Sequence, residues 1–207
     1  MFSKFLNLDK EKQDRIMNAA IKEFAQKGYD KASTNEMVKE ADISKGLLFH
    51  YFGNKKKMYL FLFDYFCEMI SADFYQKIDL SETDFFKRIS QGVRIKMDLL
   101  NQYPEAFKFL EETYFEDSEE VKAELEKRIK EMNDINFGKI YEGIDISKFR
   151  DDMDIQKVLK IITWTFEKVS EEELQKVKLS PGHEMDYQRM QQIAEEYSGI
   201  LIKAFYK

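Results

Sequence analysis

The sequence predicts an all-α protein, with an N-terminal three-helix head built on a helix-turn-helix and a C-terminal helical body. Three observations carry this. Glycine and proline are sparse, 8 and 2 in 207 residues, while Lys, Glu, Leu, Ile and Phe abound, a composition that favours helices. Apolar residues recur three and four apart through most of the chain, the spacing of one helix face. Residues 34–57, TNEMVKEADISKGLLFHYFGNKKK, fall into two short helical patterns around a tight break. The expected division is a head at 1–53 and a body at 54–207.

In the head, Asp9 or Asn7 can cap the first helix. Ile16, Ala20 and Phe24, with Met17 and Ile21, draw its apolar stripe, and Gly28 is its expected stop. Ser33/Thr34 opens the next helix, with Ser33 three residues ahead of Glu36 in capping-box spacing. That helix carries Met37, Val38 and Ala41 on one side. After the break at Asp42, Ile43 and Ser44, Ser44 can cap a helix over 45–52. Leu48 and Phe52 turn inward with Ile43, which leaves Lys45, Gly46, Leu47, His50 and Tyr51 on the free side. A helix this short is not stable alone and must lean on its neighbours.

A free face of this kind fits the major groove of DNA, where a helix-turn-helix lays its second helix. Glycine in a first helical turn costs about 1 kcal/mol against alanine, and close approach of the backbone to a duplex is a reason to keep it. Lys45 can reach a guanine edge or a phosphate, Leu47 a thymine methyl, and His50 can donate or accept. Tyr51 and the run Lys55, Lys56, Lys57 stand where backbone phosphates would pass. The capped start at Ser33 and Thr34 adds N–H donors. The bland alternative is two helices of an ordinary bundle with a solvated lysine run.

These residues also carry a family resemblance. GYDKAST…ISKGLLFHYFGNKKKMY resembles the DNA-binding signature of the TetR family of one-component transcriptional regulators, and DKEKQDRIMNAAIKEFAQKGY resembles that family's first helix. The likeness covers roughly residues 10–60. It implies that Thr34, Lys45, Gly46, Leu47, His50, Tyr51 and Lys55 lie at DNA-touching positions. Phe49 stands where tyrosine is common, and Leu47 where a small polar residue is frequent, so the base preference does not carry over. Beyond residue 60 the resemblance is one of architecture.

Charge is divided to match. The chain carries a net charge of −6, yet residues 1–57 hold 12 Lys/Arg against 8 Asp/Glu, and the remainder 21 against 31. A basic head on an acidic body suits a protein that touches DNA at one end. The single cysteine, Cys67, forms no internal disulfide and points to the cytoplasm. MFSKFLNL lacks a signal-peptide core. The apolar run at 58–70 is broken by Asp64 and Glu68 and is too short to span a membrane.

In the body, Asn54 caps a fourth helix of about twenty residues, apolar nearly all round (Met58, Phe61, Leu62, Tyr65, Phe66, Met69, Ile70, Phe74) and so buried on several sides. It reads as the lever between head and body. Ser81 is expected to open a helix with Phe85, Phe86, Ile89, Val93, Met97 and Leu100, and Pro104 to begin the next with Phe107 and Leu110. Residues 116–120 form an acidic break, after which Ser118 starts a helix with Val121, Leu125, Ile129 and Met132. A polar connection at 143–152 leads to a helix with Ile155, Val158, Leu159, Ile161, Ile162, Phe166 and Val169. A turn at 180–183 and a last helix (Met190, Ile193, Ala194, Tyr197, Ile200, Leu201, Ala204, Phe205) complete a hairpin. Ile162, Phe166, Met190, Ile193, Tyr197, Leu201 and Phe205 are the expected homodimer face. In the resembling family two such hairpins meet as a four-helix bundle.

A small-molecule effector would sit among Phe63, Cys67, Met97, Phe107, Tyr114, Phe137, Tyr141 and Trp164, where Phe, Tyr and Met gather. Ordinary core is the competing reading. For catalysis there is little: two histidines, His50 and His183, no Glu-x-x-His pair, no P-loop, no dinucleotide turn and no zinc spacing. No enzyme activity, metal or cofactor is expected. The expected function is a ligand-responsive regulator, by resemblance a repressor, binding a near-palindromic operator as a dimer. The rival is a helical small-molecule carrier or protein-interaction dimer that binds no DNA.

Overall fold

The computed structural model describes residues 2–179 and 186–207, the side chains of 133–138, 178 and 179 excepted. The expected turn at 180–183 and the lining role of Phe137 lie outside the described residues. The helices are α1 (Ser3–Leu6), α2 (Lys10–Lys31), α3 (Thr34–Glu40), α4 (Lys45–Phe52), α5 (Lys55–Lys77), α6 (Phe85–Gln102), α7 (Pro104–Tyr114), α8 (Lys122–Tyr141), α9 (Ile155–Leu179) and α10 (Tyr187–Phe205). An isolated bridge pairs Phe149 with Tyr206. The all-α expectation holds.

Side-chain caps set most of the starts. Asp9 accepts the Lys12 N–H at 2.9 Å, Ser44 that of Leu47 at 3.2 Å, and Asn54 that of Lys57 at 2.8 Å. Satisfying a first-turn donor is worth about 1 kcal/mol. Ser81 is not the cap of α6. Its hydroxyl bonds the Asp79 carboxylate at 2.5 Å, and Asp84 instead accepts the Lys87 N–H at 3.2 Å.

The chain divides into two compact units, Met1–Gln76 with Asp98–Ile135, and Lys77–Met97 with Asn136–Lys207. The first packs the helix-turn-helix together with α5, α7 and the start of α8. Its core joins Ile16, Ala20 and Phe24 of α2, Met37 of α3, Leu48 and Phe52 of α4, Met58, Leu62 and Phe66 of α5, Phe109 of α7, and Val121 and Leu125. The first half of α5 is indeed apolar all round, with 58–63 buried without a break.

Gly28 ends the regular run of α2 at φ 67°, ψ 176°, a backbone region that is nearly glycine-only. The following N–H, of Tyr29, is free to meet the Glu116 carboxylate at 2.7 Å. Gly28→Ala is expected to cost about 1–3 kcal/mol, read as a lower midpoint in chemical denaturation.

The second unit has its own cluster, with Phe85, Phe86, Phe149, Val158, Ile162 and Leu201 buried. At its edge Arg88 is fully buried. Its guanidinium donates to the carbonyls of Leu80 (2.9 Å), Glu82 (2.9 Å from Nε), Ile140 (2.9 Å) and Glu142 (2.6 Å). Nearby, Asp84 accepts from Lys148 at 2.8 Å and Tyr206 at 3.2 Å. Burial works against the Asp84 charge, and these donors outweigh it, holding the carboxyl below its usual range.

Candidate nucleic-acid interface

The break between α3 and α4 has a defined geometry. Asp42 takes φ 51°, while the Ile43 N–H reaches the Val38 carbonyl at 3.0 Å and the Asp42 N–H that of Lys39 at 3.4 Å. This is the paired closure of a Schellman turn with aspartate where glycine is usual. Arg15 of α2 braces the turn, its Nε donating to the Ala41 carbonyl at 2.9 Å.

The start of α3 is held differently from the capping box expected. Ser33 Oγ does accept the Glu36 N–H, at 3.4 Å. The reciprocal bond comes from α2: the buried Glu23 carboxylate accepts the Ser33 N–H at 2.8 Å and pairs with Lys27 at 2.7 Å. Burial opposes that charge, but Lys27 and the Ser33 N–H prevail and keep the carboxyl below its ordinary range. A partner ten residues upstream leaves no local spacing to read.

On α4, Leu48 and Phe52 are buried as expected. Lys45, Gly46 and His50 are exposed, and Leu47 is half-buried against the core of its unit. Ser33 and Thr34 are half-buried. A Cβ on Gly46 would meet nothing nearer than Ser44 Oγ at 4.0 Å, so no contact within the chain requires glycine there. Tyr51 departs from the expected free face. Only 9% of it is exposed, and its ring lies 6.0 Å from that of Phe5, so packing is what the structure gives it.

The residue responsible sits in α1, which sequence reading missed. Phe5 is fully buried, 4.7 Å from the Phe52 ring and 5.6 Å from that of Phe61. The apolar pair Phe2 and Phe5, three apart, was the available signal. The side-chain amide of Gln13 holds the segment by donating to the carbonyls of Leu6 (3.0 Å) and Leu8 (2.8 Å).

The lysines of α5 are not idle. Lys55 Nζ donates to the Asp30 carbonyl at 3.2 Å and lies 4.8 Å from the centre of the Tyr29 ring. Lys56 pairs with Glu124 of α8 at 2.6 Å. Lys57 is exposed.

The described residues expected around an effector are divided between the two units. Phe63 is buried in the core of the first unit, with Cys67 half-buried beside it, and Phe107 is half-buried in the same unit. Met97 and Tyr141 belong to the second unit, where Tyr141 bonds Thr163 and stacks 5.5 Å from Phe85. Tyr114 and Trp164 are 45% and 61% exposed, against the enclosed lining expected of them. Burial, then the charges of Asp64 and Glu68, pushes the Cys67 thiol up to about 12, which makes it a poor thiolate and a poor redox sensor.

Part of the expected dimer face packs within its own unit. Ile162 and Leu201 are buried within their own unit, with Phe166 and Phe205 packed against the same cluster. Met190 and Ile193 are half-buried. The apolar side chains left exposed on α9 and α10 are Ile161, Trp164, Tyr197, Ile200 and Ile202.

Among the described residues no group of three or more His, Cys, Asp or Glu could hold a metal ion, and no helix is long and apolar enough to cross a membrane.

A head with this turn, set in a helical chain, defines the helix-turn-helix class. Residues 16–61 match the profile of the bacterial regulatory proteins of the tetR family. Over 57 residues the chain is 44% identical to the Bacillus subtilis uncharacterized HTH-type transcriptional regulator YuxN, a stretch that is 28% of this chain and 20% of that protein. The fold is shared along nearly the whole length with a TetR family transcriptional regulator from Chloroflexus aurantiacus (20% identity, 99% of this chain and 98% of that one, TM-score 0.61). It is also shared with the fatty acid degradation regulator FadR of Bacillus halodurans (19% identity, 91% and 97%, TM-score 0.60). Residues 16–61 thus resemble the DNA-binding part of the tetR family, and the chain as a whole shares the fold of TetR-family structures.

Proposed function

We propose that the chain is a ligand-responsive transcriptional regulator, acting as a repressor. It binds a near-palindromic operator as a homodimer, one α4 in each of two major grooves, and a small molecule held by the body releases it. The observation that carries this reading is Gly46, an exposed glycine in the first turn of α4 with open space where its side chain would be. The chain's own folding gives no reason for it, and close approach of a duplex does. Lys45 and His50 are exposed on the same helix, and Ser33, Thr34, Leu47 and the lysines at 55–57 complete the proposed contact set.

Gly46→Ala therefore separates this reading from a carrier that binds no DNA. It is expected to stabilise the fold by up to about 1 kcal/mol and to weaken duplex binding at least tenfold, measured by denaturation and by fluorescence anisotropy. A carrier would show the first effect alone, and unchanged duplex binding would remove the glycine argument.

Ile161, Trp164, Tyr197 and Ile200 support the dimer. Exposed apolar side chains on α9 and α10 fit an association surface, and a two-fold axis gives the half-site spacing an operator needs. Ile200→Asp is expected to turn a dimer into a monomer in analytical ultracentrifugation; a dimer unmoved by it would place the interface elsewhere. The effector's identity is not carried over from any structural neighbour. The reading requires no catalytic group, and the expected compartment is the cytoplasm.

A further inference from the structure

Two of the three lysines that begin α5 are tied to the junction formed by the start of α8 and the segment before it. Lys56 meets it directly, through Glu124 at 2.6 Å. Lys55 meets it at one remove. Its ammonium rests on the Asp30 carbonyl and the Tyr29 ring, and that turn is itself seated on the junction. The Glu116 carboxylate accepts the N–H of Tyr29 at 2.7 Å and of Ser118 at 2.9 Å, while Ser118 Oγ donates to the Asp30 carboxylate at 2.7 Å. Ser118 is buried, and Val121 and Leu125 anchor the start of α8 in the same core. One turn further along, Arg128 of α8 pairs with Asp64 of α5.

We propose that Glu124 is an internal stand-in for a DNA phosphate: it holds Lys56 in the free protein and must release it when a duplex docks. The inference rests on the DNA-binding reading above and adds to it a competitor carried by α8. A phosphate and the Glu124 carboxylate compete for the same ammonium, so a phosphate contact made by Lys56 weakens its pair with Glu124. Glu124 lies outside the helix-turn-helix, in a helix that continues toward residue 141. Any shift of α8 that tightens or loosens the pair changes how readily Lys56 reaches DNA. The Glu124 carboxyl is held below its ordinary range, first by its hydrogen bond from Lys56, as expected of a pair formed in the free state. Both side chains are partly exposed, and such pairs are weak, so the competitor adjusts affinity and does not block binding.

The test is a double-mutant cycle on the full chain. Wild type, Glu124→Gln, Lys56→Gln and the double variant are titrated against a fluorescent duplex recovered with the wild-type protein from a random pool, between 50 and 200 mM salt. Glu124→Gln is expected to tighten binding about two- to fivefold. Lys56→Gln is expected to weaken it and reduce the salt slope by about 1. In the Lys56→Gln background, Glu124→Gln should have no further effect. Equal tightening with and without Lys56 would mean that the Glu124 charge acts at a distance, and the inference falls. No tightening by Glu124→Gln overturns it as well. Failure of the wild-type protein to enrich any duplex defeats the DNA-binding reading itself, and the competitor with it.

Discussion

Arg88→Met is expected to lower the stability of the unit that contains it by about 3–5 kcal/mol, because it takes the donor from four backbone carbonyls at once. The guanidinium is fully buried and gathers carbonyls from both sides of the second unit: Leu80 and Glu82 before α6, Ile140 and Glu142 at the end of α8. Methionine fills much of the same volume but donates nothing, so each carbonyl is left without that donor, at roughly 1–3 kcal/mol for a buried unsatisfied group. Lysine in its place would keep the charge and lose the planar fork, and should fall between the two. Guanidinium unfolding followed by circular dichroism gives the number. A loss under 1 kcal/mol for Arg88→Met would mean that the four carbonyls find other donors, and that Arg88 is not the clamp it is taken to be.

Phe5→Ala is expected to cost about 3–5 kcal/mol in the first unit, the usual range for emptying a buried phenylalanine site. The consequence reaches past stability. Phe5 packs on Tyr51 and Phe52 of α4 and on Phe61 of α5, so it supports the inner side of the helix whose outer side carries Lys45, Gly46 and His50. The variant is therefore expected to bind duplex more weakly even at temperatures where it remains folded. Phe5→Leu, which keeps most of the apolar volume, should recover most of both losses. Wild-type stability and affinity in Phe5→Ala would show α1 to be dispensable.

How far the sequence could be read follows the range of each interaction. Short-range chemistry is readable: the caps at Asp9, Ser44 and Asn54 involve partners three residues on, and the inward turn of Leu48 and Phe52 shows in their four-residue spacing. Where a partner lay farther off, the reading failed or stayed incomplete. Glu23 reaches Ser33 across ten residues, Glu116 reaches Tyr29 across 87, and Arg88 meets Glu142 across 54. Arg88 did leave a trace, a cation three residues after Phe85 on the inward stripe of α6. Tyr51 was placed on the free face because α1, the segment that covers it, had not been recognised. Periodicity marks the apolar stripes of α9 and α10, but alone it does not say whether a stripe faces its own unit or a second copy. Ile162 and Leu201 serve their own unit, while Trp164 and Ile200 stay exposed.

The central claim is that the face of α4 bearing Lys45, Gly46 and His50 reads duplex DNA. Selection of duplexes from a random pool by the full-length wild-type protein at 50 mM salt tests it most directly. The account predicts enrichment of one sequence containing two inverted, similar half-sites about one helical turn apart, with affinity that falls steeply as salt rises. Folded protein that enriches no sequence and shifts no duplex at that salt would contradict it.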